Sequence, residues 1–158
     1  MTNISITANK PGLRIARIFQ RDYKYYQGVP RINIYLLRLI FALTFFVVGK
    51  DSWTVILTFK GTWDPVRAVA FSVWAAYSLL CFLGLYHTLK MLPIIMFQIF
   101  YKTIWLAFVA LPLWSSGKLA GSPAEEMTYV FLWIILAYVA MPWKYFMQHY
   151  VLPKKKSD

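Results

Sequence analysis

Acidic residues and cysteines are scarce in this 158-residue chain, and charged residues make up only 15% of it. A soluble domain carries about a quarter charged residues, so this composition disfavours a soluble globular domain. The single cysteine, Cys81, excludes a disulfide scaffold. The chain also has too little polar surface for a typical nucleic-acid-binding domain, and we expect no nucleic-acid partner.

Apolar residues make up 59% of the chain and aromatic residues 19%, which excludes intrinsic disorder. The same chain has a formal net charge of +11, from 17 Lys and Arg against 6 Asp and Glu. An integral membrane protein reconciles these two properties if its positive charge is concentrated outside the apolar segments.

Four segments are long and apolar enough to cross a bilayer, which takes about 20 mostly apolar residues. They cover about residues 33–50, with an apolar continuation to 59, and then 65–86, 93–113 and 123–147. Their apolar residues lie on all faces, as is typical of lipid-facing helices. The sequence predicts an all-α integral membrane protein, with an antiparallel four-helix transmembrane bundle in residues 33–150.

Two of these segments open with helix-start signals. Asp64 precedes Pro65, which places a capping carboxylate before the residue favoured at the first helical position. Ser122 and Glu125 have the spacing of a capping box, in which Glu125 reaches back to the Ser122 amide.

The basic residues predict the orientation of the bundle. Residues 1–31 carry six cations and one acid, and the chain from Lys144 onward carries four cations and one acid. Most of the acids fall in the opposite loops: Asp51, Asp64, Glu125 and Glu126. By the positive-inside rule, both termini are expected in the cytoplasm of a bacterial inner membrane.

The amino-terminal basic residues have helical spacing. Lys and Arg recur three and four positions apart, on one helix face, at Arg14, Arg17, Arg21 and Lys24. One interpretation is an amphipathic interfacial helix within residues 1–31 that binds anionic lipid or an acidic partner. The other is a topology signal alone. The tail of residues 151–158 carries a second basic cluster, which we interpret as a topology and lipid-contact feature rather than a targeting signal, at Lys154, Lys155 and Lys156.

Lys102 is the polar residue least expected in its surroundings, because it falls near the middle of the third apolar segment. A charge at that depth costs at least about 2.5–3.5 kcal/mol, so it needs a partner. Tyr101 and Thr103 flank it, and Gln98 lies one helical turn earlier on the same face. Tyr77 is a candidate from the second segment, and Asp51 is the one acid close to the membrane. A Lys102–Asp51 ion pair is one hypothesis. The site is then either a structural pair or a polar pocket for a headgroup, a quinone or a partner helix.

Catalytic and metal-binding patterns are not apparent in the sequence. His87 and His149 follow the second and fourth segments, and two such histidines could in principle hold a b-type haem. Their interfacial position favours two histidines at helix ends instead. We expect neither a cofactor, a metal nor an enzymatic activity.

The run from Leu37 and Arg38 through Phe46 to Gly49 and Lys50 resembles the first helix of DoxX-like membrane proteins. The four-helix layout with short loops is also similar to that family. The resemblance implies a small four-helix inner-membrane protein, and some DoxX-like proteins are implied to be subunits associated with quinone-linked oxidoreductases. A redox role would then have to come from a partner.

The function expected from the sequence is a non-catalytic accessory or scaffold subunit of an inner-membrane complex. Its aromatic residues would dock partner helices or a second copy of the chain, and its basic segments would bind anionic lipid. The alternative is a small-molecule, quinone or lipid binding protein, or carrier, with a polar pocket around Lys102.

Overall fold

The computed structural model describes residues 19–152, which are mostly helical. Two short antiparallel strands, β1 (Arg21–Asp22) and β2 (Val29–Pro30), flank the single-turn helix α1 (Tyr23–Tyr26). Five further helices follow: α2 (Arg31–Thr58), α3 (Pro65–Tyr86), α4 (Leu92–Ser115), α5 (Glu125–Ala140) and α6 (Trp143–Val151).

Three helices, α2, α3 and α4, are long and apolar enough to cross a membrane. Helices α5 and α6 meet at an angle of 74° and qualify as a fourth span only when taken together. The coarse prediction of a mostly helical protein with several helices long and apolar enough to span a membrane is therefore confirmed. Of the two lengths that the sequence allows for the first segment, the longer one is observed, because α2 continues to Thr58.

The long helices pack in antiparallel pairs that run between two ends of the molecule. We call the end with loop 87–91 the near end, and the end with loops 59–64 and 116–124 the far end. At the near end, Arg38 of α2 contacts Thr88, and Asn33 donates a hydrogen bond to the Ala140 carbonyl of α5 at 3.0 Å. Towards the far end, Gly49 of α2 lies against Ser78 of α3.

Most of the apolar core lies in the near half. Its buried members come from α2, α3, α4, α5, the break after α5 and α6: Leu37, Ile40, Phe41, Tyr77, Cys81, Leu92, Ile95, Ile99, Ile134, Ala137, Ala140, Met141 and Phe146. In the far half, the end of α2 packs on α3, whereas the end of α4 packs on the start of α5. The helices therefore form one core at the near end and two hairpins at the far end.

Gly84 sets the distance between α2 and α3. A Cβ built on Gly84 would lie 2.5 Å from Cε1 of Phe41, a ring with no exposed surface. Small residues allow helix backbones to approach closely, which is a common basis of helix packing in membranes.

Three π-helical turns interrupt the regular hydrogen-bonding of the helices: Thr44–Val48 in α2, Leu106–Ala110 in α4 and Met147–Val151 in α6. A π-turn accommodates one extra residue, and each residue corresponds to a rotation of about 100° around the helix. Beyond Thr44, the face of α2 that contacts α3 is therefore rotated relative to the face that a regular α-helix would present.

The fourth predicted segment is not one straight helix over 123–147. It begins at Glu125, and Met141 leaves the helical conformation at φ −67° and ψ 120°. Pro142 explains this break, because the residue before a proline is driven towards extended backbone.

The two predicted helix starts have different outcomes. Asp64 caps α3 as expected, since its carboxylate accepts a hydrogen bond from the Arg67 amide at 2.8 Å. The predicted capping box is wrong about which backbone amide Glu125 binds. Glu125 accepts from the Gly121 amide at 2.7 Å instead of from Ser122, because residues 121–124 form turns ahead of the helix.

The predicted basic helix is wrong where it can be compared. Arg21 lies in β1 and Lys24 in α1, so the two are not on one helix face. Asp22, which lies between them, ends β1 and caps the start of α1. Its carboxylate accepts a hydrogen bond from the Tyr25 amide at 3.0 Å and pairs with Arg31 at 2.7 Å. These two contacts hold the pKa of Asp22 below its ordinary value. Arg14 and Arg17 lie outside the described residues.

Substitution Gly84→Ala should destabilise the protein by about 1–3 kcal/mol, because the added methyl must displace the buried Phe41 ring. The gain in helix propensity offsets up to about 1 kcal/mol of this cost. The measurement is the unfolding free energy in detergent micelles. Ser72→Thr adds one methyl on the exposed face of the same helix and should cost little. Equal stability of the two variants would contradict the close packing of α2 and α3.

Candidate functional site

Lys102 lies at mid-height of the molecule, as the eleventh of the 24 residues of α4. Its ammonium nitrogen is 5.2 Å from the ring centroid of Phe131 on α5. Tyr101 and Trp105 meet the same ring edge-on, at centroid distances of 5.6 and 5.0 Å. The ammonium group of this lysine therefore lies over the negatively polarised face of a buried phenylalanine ring.

The hypothesis of a Lys102–Asp51 ion pair is wrong, because no oxygen of Asp51 comes within 4.0 Å of the Lys102 nitrogen. Asp51 is exposed, whereas its neighbours Gly49 and Ser52 are buried against α3. The far half of α2 packs on α3, and the Lys102 region of α4 packs on α5. The two residues thus belong to different hairpins.

Tyr77 and Gln98 are buried polar residues beside this region. Both are less than one-tenth exposed, and neither the Tyr77 hydroxyl nor the Gln98 carbonyl oxygen has a hydrogen-bond partner within the protein. The Tyr77 ring packs against Phe97 and Tyr101 of α4. Buried polar atoms are almost always paired, so these two atoms are exceptions within the described residues.

An apolar cleft of about 700 Å³ extends from mid-height to the far end of the molecule. We call it the far-end cleft. It lies between the two hairpins, and its walls come from α3, α4, α5 and the turn before α5: Trp74, Tyr101, Ile104, Trp105, Phe108, Val109, Pro123, Ala124, Met127 and Phe131. Its inner wall includes Tyr101 and Phe131, which contact Tyr77 and Lys102 respectively.

The predicted site residues are thus brought together in part. Lys102 and Tyr101 converge on Phe131, Tyr77 joins them through Tyr101, and Gln98 is buried one turn earlier on α4. Phe131 has no polar atom and gives no signal in the sequence, so its role is visible only from the packing of α5 on α4.

The histidines lie at the near end. The His149 ring stacks on Tyr145 at a centroid distance of 3.9 Å, and its Nδ1 is 2.9 Å from the Tyr145 carbonyl oxygen. His87 follows the last residue of α3 and is exposed. Each histidine therefore has the helix-end environment that the sequence favoured over haem ligation.

Charge is distributed unevenly between the two ends. Four of the acids in the described range lie in the far half, namely Asp51, Asp64, Glu125 and Glu126, and the fifth, Asp22, is paired with Arg31. The near end carries six cations, namely Arg21, Lys24, Arg31, Arg38, Lys90 and Lys144. The far half carries four cations, as many as its acids, namely Lys50, Lys60, Arg67 and Lys118. Lys154, Lys155 and Lys156 lie outside the described residues.

No family model matches this chain, and neither a curated protein nor a solved structure matches it. Function is therefore inferred from the chain's own residues.

Replacing Lys102 and Phe131 singly and together should reveal an interaction between them. In a double-mutant cycle with Lys102→Met and Phe131→Leu, we expect a coupling free energy of about 1–2 kcal/mol, as for a partly desolvated cation–π contact. The measurement is the unfolding equilibrium in mixed micelles. The control cycle pairs Lys102→Met with Asp51→Asn, for which the coupling should be below about 0.5 kcal/mol. Stronger coupling to Asp51 than to Phe131 would refute this assignment.

Proposed function

We propose that this chain is a multi-pass protein of the bacterial inner membrane, built as an antiparallel four-helix bundle with its near end and both termini in the cytoplasm. Three apolar helices and one bent pair support the number of crossings. The orientation is supported by the excess of cations at the near end, six against one acid within residues 19–152, because the far half balances four cations with four acids.

Within that membrane, we propose a non-catalytic accessory or scaffold subunit that docks a partner helix. The carrying observation is a pair of hydroxyl groups on the outer surface at mid-height. Thr103 of α4 and Tyr138 of α5 are both exposed, and their hydroxyl groups form a hydrogen bond of 2.9 Å with each other, which leaves one of the two hydroxyl hydrogens to donate elsewhere. Lipid tails offer no hydrogen bond to such groups, whereas a partner helix does.

The residues around this pair suit a helix interface. Phe100 and Ala107 lie on the same exposed face of α4, three positions before and four positions after Thr103. The small Ala107 lets a second helix approach closely, and the neighbouring aromatic ring supplies contact area. We call this surface, formed by Phe100, Thr103, Ala107 and Tyr138, the docking face. A DoxX-like subunit role is part of the same proposal.

Crosslinking in native membranes tests the docking face. A photoreactive amino acid at Ala107 should give one discrete crosslinked product, whereas the same group at Ala76, which is exposed on α3, should give none. The double substitution Thr103→Val and Tyr138→Phe should reduce the Ala107 product severalfold, because it removes both hydroxyl groups and nearly preserves shape. A product of twice the chain's mass would identify the partner as a second copy.

Thr54→Val is the matched control for this experiment, because Thr54 is an exposed threonine on α2, away from the docking face. Its crosslinking at Ala107 should equal that of the parent protein. Equal products from Ala76 and Ala107, or an Ala107 product that survives loss of both hydroxyl groups, would refute the docking face.

The second candidate is a small-molecule, quinone or lipid binding protein, or carrier, and the far-end cleft favours it. Its volume of about 700 Å³ falls within the range of ligand pockets, and its lining is mostly apolar. Lys102 and the unpartnered Tyr77 hydroxyl lie close to its inner wall and could meet a polar head. The double substitution Thr103→Val and Tyr138→Phe distinguishes the two candidate functions. A protein that binds its ligand in the far-end cleft should still bind that ligand when the docking face is altered.

A further inference from the structure

A small pocket of about 200 Å³ lies at the near end, where four parts of the chain meet. Its polar walls come from α1 and the residue after it, from α2, from loop 87–91 and from α6: Tyr26, Gln27, Arg38, His87, Lys90 and Tyr145. We call it the near-end pocket. It is separate from the far-end cleft and shares no lining residue with it.

Hydrogen bonds between distant parts of the chain hold the walls of this pocket. The Tyr145 hydroxyl donates to Oε1 of Gln27 at 2.8 Å, which joins α6 to the end of α1. The Tyr150 hydroxyl donates to the Leu89 carbonyl at 2.6 Å, which joins α6 to loop 87–91. The pocket is therefore a fixed feature of the near end and not a gap between independent side chains.

The charge of the pocket is positive and uncompensated. Arg38 and Lys90 line it, and none of its lining residues is acidic. Arg38 is half-buried, and Nε donates to the Thr88 hydroxyl at 3.3 Å, which leaves the terminal guanidinium nitrogens available. The near-end acid in the described range, Asp22, is already bound to Arg31. A half-buried guanidinium with a neutral partner leaves room for an anion.

The chemistry of the walls suits a phosphate group. A guanidinium presents two parallel N–H donors to phosphate oxygens, and an ammonium adds a compact positive charge. Arg38 and Lys90 supply these two groups, with the His87 ring and the Tyr26 hydroxyl as further hydrogen-bonding groups on the same walls. The pocket also lies at the end of the apolar helices, which is where lipid headgroups lie when those helices span a bilayer.

We propose that the near-end pocket binds a phosphate group, that of an anionic phospholipid such as phosphatidylglycerol, through Arg38 and Lys90. This inference deepens the proposed function, in that it requires the near end to face the anionic cytoplasmic leaflet. It adds a defined lipid site to the general attraction of basic segments for that leaflet. The acyl chains of the bound lipid would extend along the apolar surface of α3, which exposes Phe82 and Tyr86 beside the pocket.

Native mass spectrometry of the full chain in mild detergent tests the site. Titration with phosphatidylglycerol should give saturable binding of one lipid that phosphatidylcholine of the same chain length does not match. Lys90→Gln and Arg38→Gln should each weaken this binding about fivefold, the factor that corresponds to about 1 kcal/mol per cation. Lys118→Gln removes an exposed lysine at the far end and should leave the affinity unchanged.

Equal affinity in Lys90→Gln and Lys118→Gln, or equal binding of the two lipids, would overturn the proposal. Lys90 is exposed in a loop, so this variant decides the result if Arg38→Gln does not fold. Competition by millimolar inorganic phosphate would assign the pocket to a soluble phosphate, and absence of competition would assign it to the lipid. The Ala107 crosslink should persist in Lys90→Gln, so failure of the lipid site and failure of the docking face are distinguishable.

Discussion

Helices α2 and α3 touch at Gly84 and Phe41, and the rest of the near end is arranged around this contact. The missing Cβ lets the two backbones approach, and the Phe41 ring lies against Gly84 with no exposed surface. That approach brings Arg38 to Thr88 in the following loop. The apolar core and the near-end pocket are both consequences of the same close packing.

The far half lacks an equivalent contact across the whole bundle. There α2 pairs with α3 and α4 pairs with α5, and the far-end cleft lies between the two pairs. Polar residues occur where the packed half meets the open half, as Tyr77 and Lys102 illustrate. An aromatic ring rather than a carboxylate faces the lysine, which avoids placing a second charge in the apolar region.

The positions of the helices could be read from the sequence because they follow from long apolar runs and local capping signals. Asp64 and Pro65 begin α3 as their chemistry dictates. The bend after Ala140 was also encoded locally, in Pro142, but the apolar run continues through this proline and hides the break. Arg21 was misplaced because its helical spacing competes with a strand pairing to Pro30.

The partner of Lys102 could not be predicted, because it depends on which helices meet at mid-height. Asp51 was the obvious choice by charge, yet the π-turn before Gly49 and the packing of that half of α2 on α3 leave it exposed. Phe131 carries no polar signal that would single it out among the chain's aromatic residues. Likewise, Arg38 and Lys90 are 52 positions apart in sequence, and only the fold brings them to one pocket.

The most direct test of this account is the sidedness of the two ends in the membrane. Cys81, the one native cysteine, is buried, so Cys81→Ser provides a background for single labelling sites. In that background, Lys118→Cys at the far end and Lys90→Cys at the near end are treated with a membrane-impermeant maleimide. Labelling of position 118 is expected in spheroplasts, and labelling of position 90 only in inverted vesicles. Labelling of both positions from the same side would contradict this sidedness.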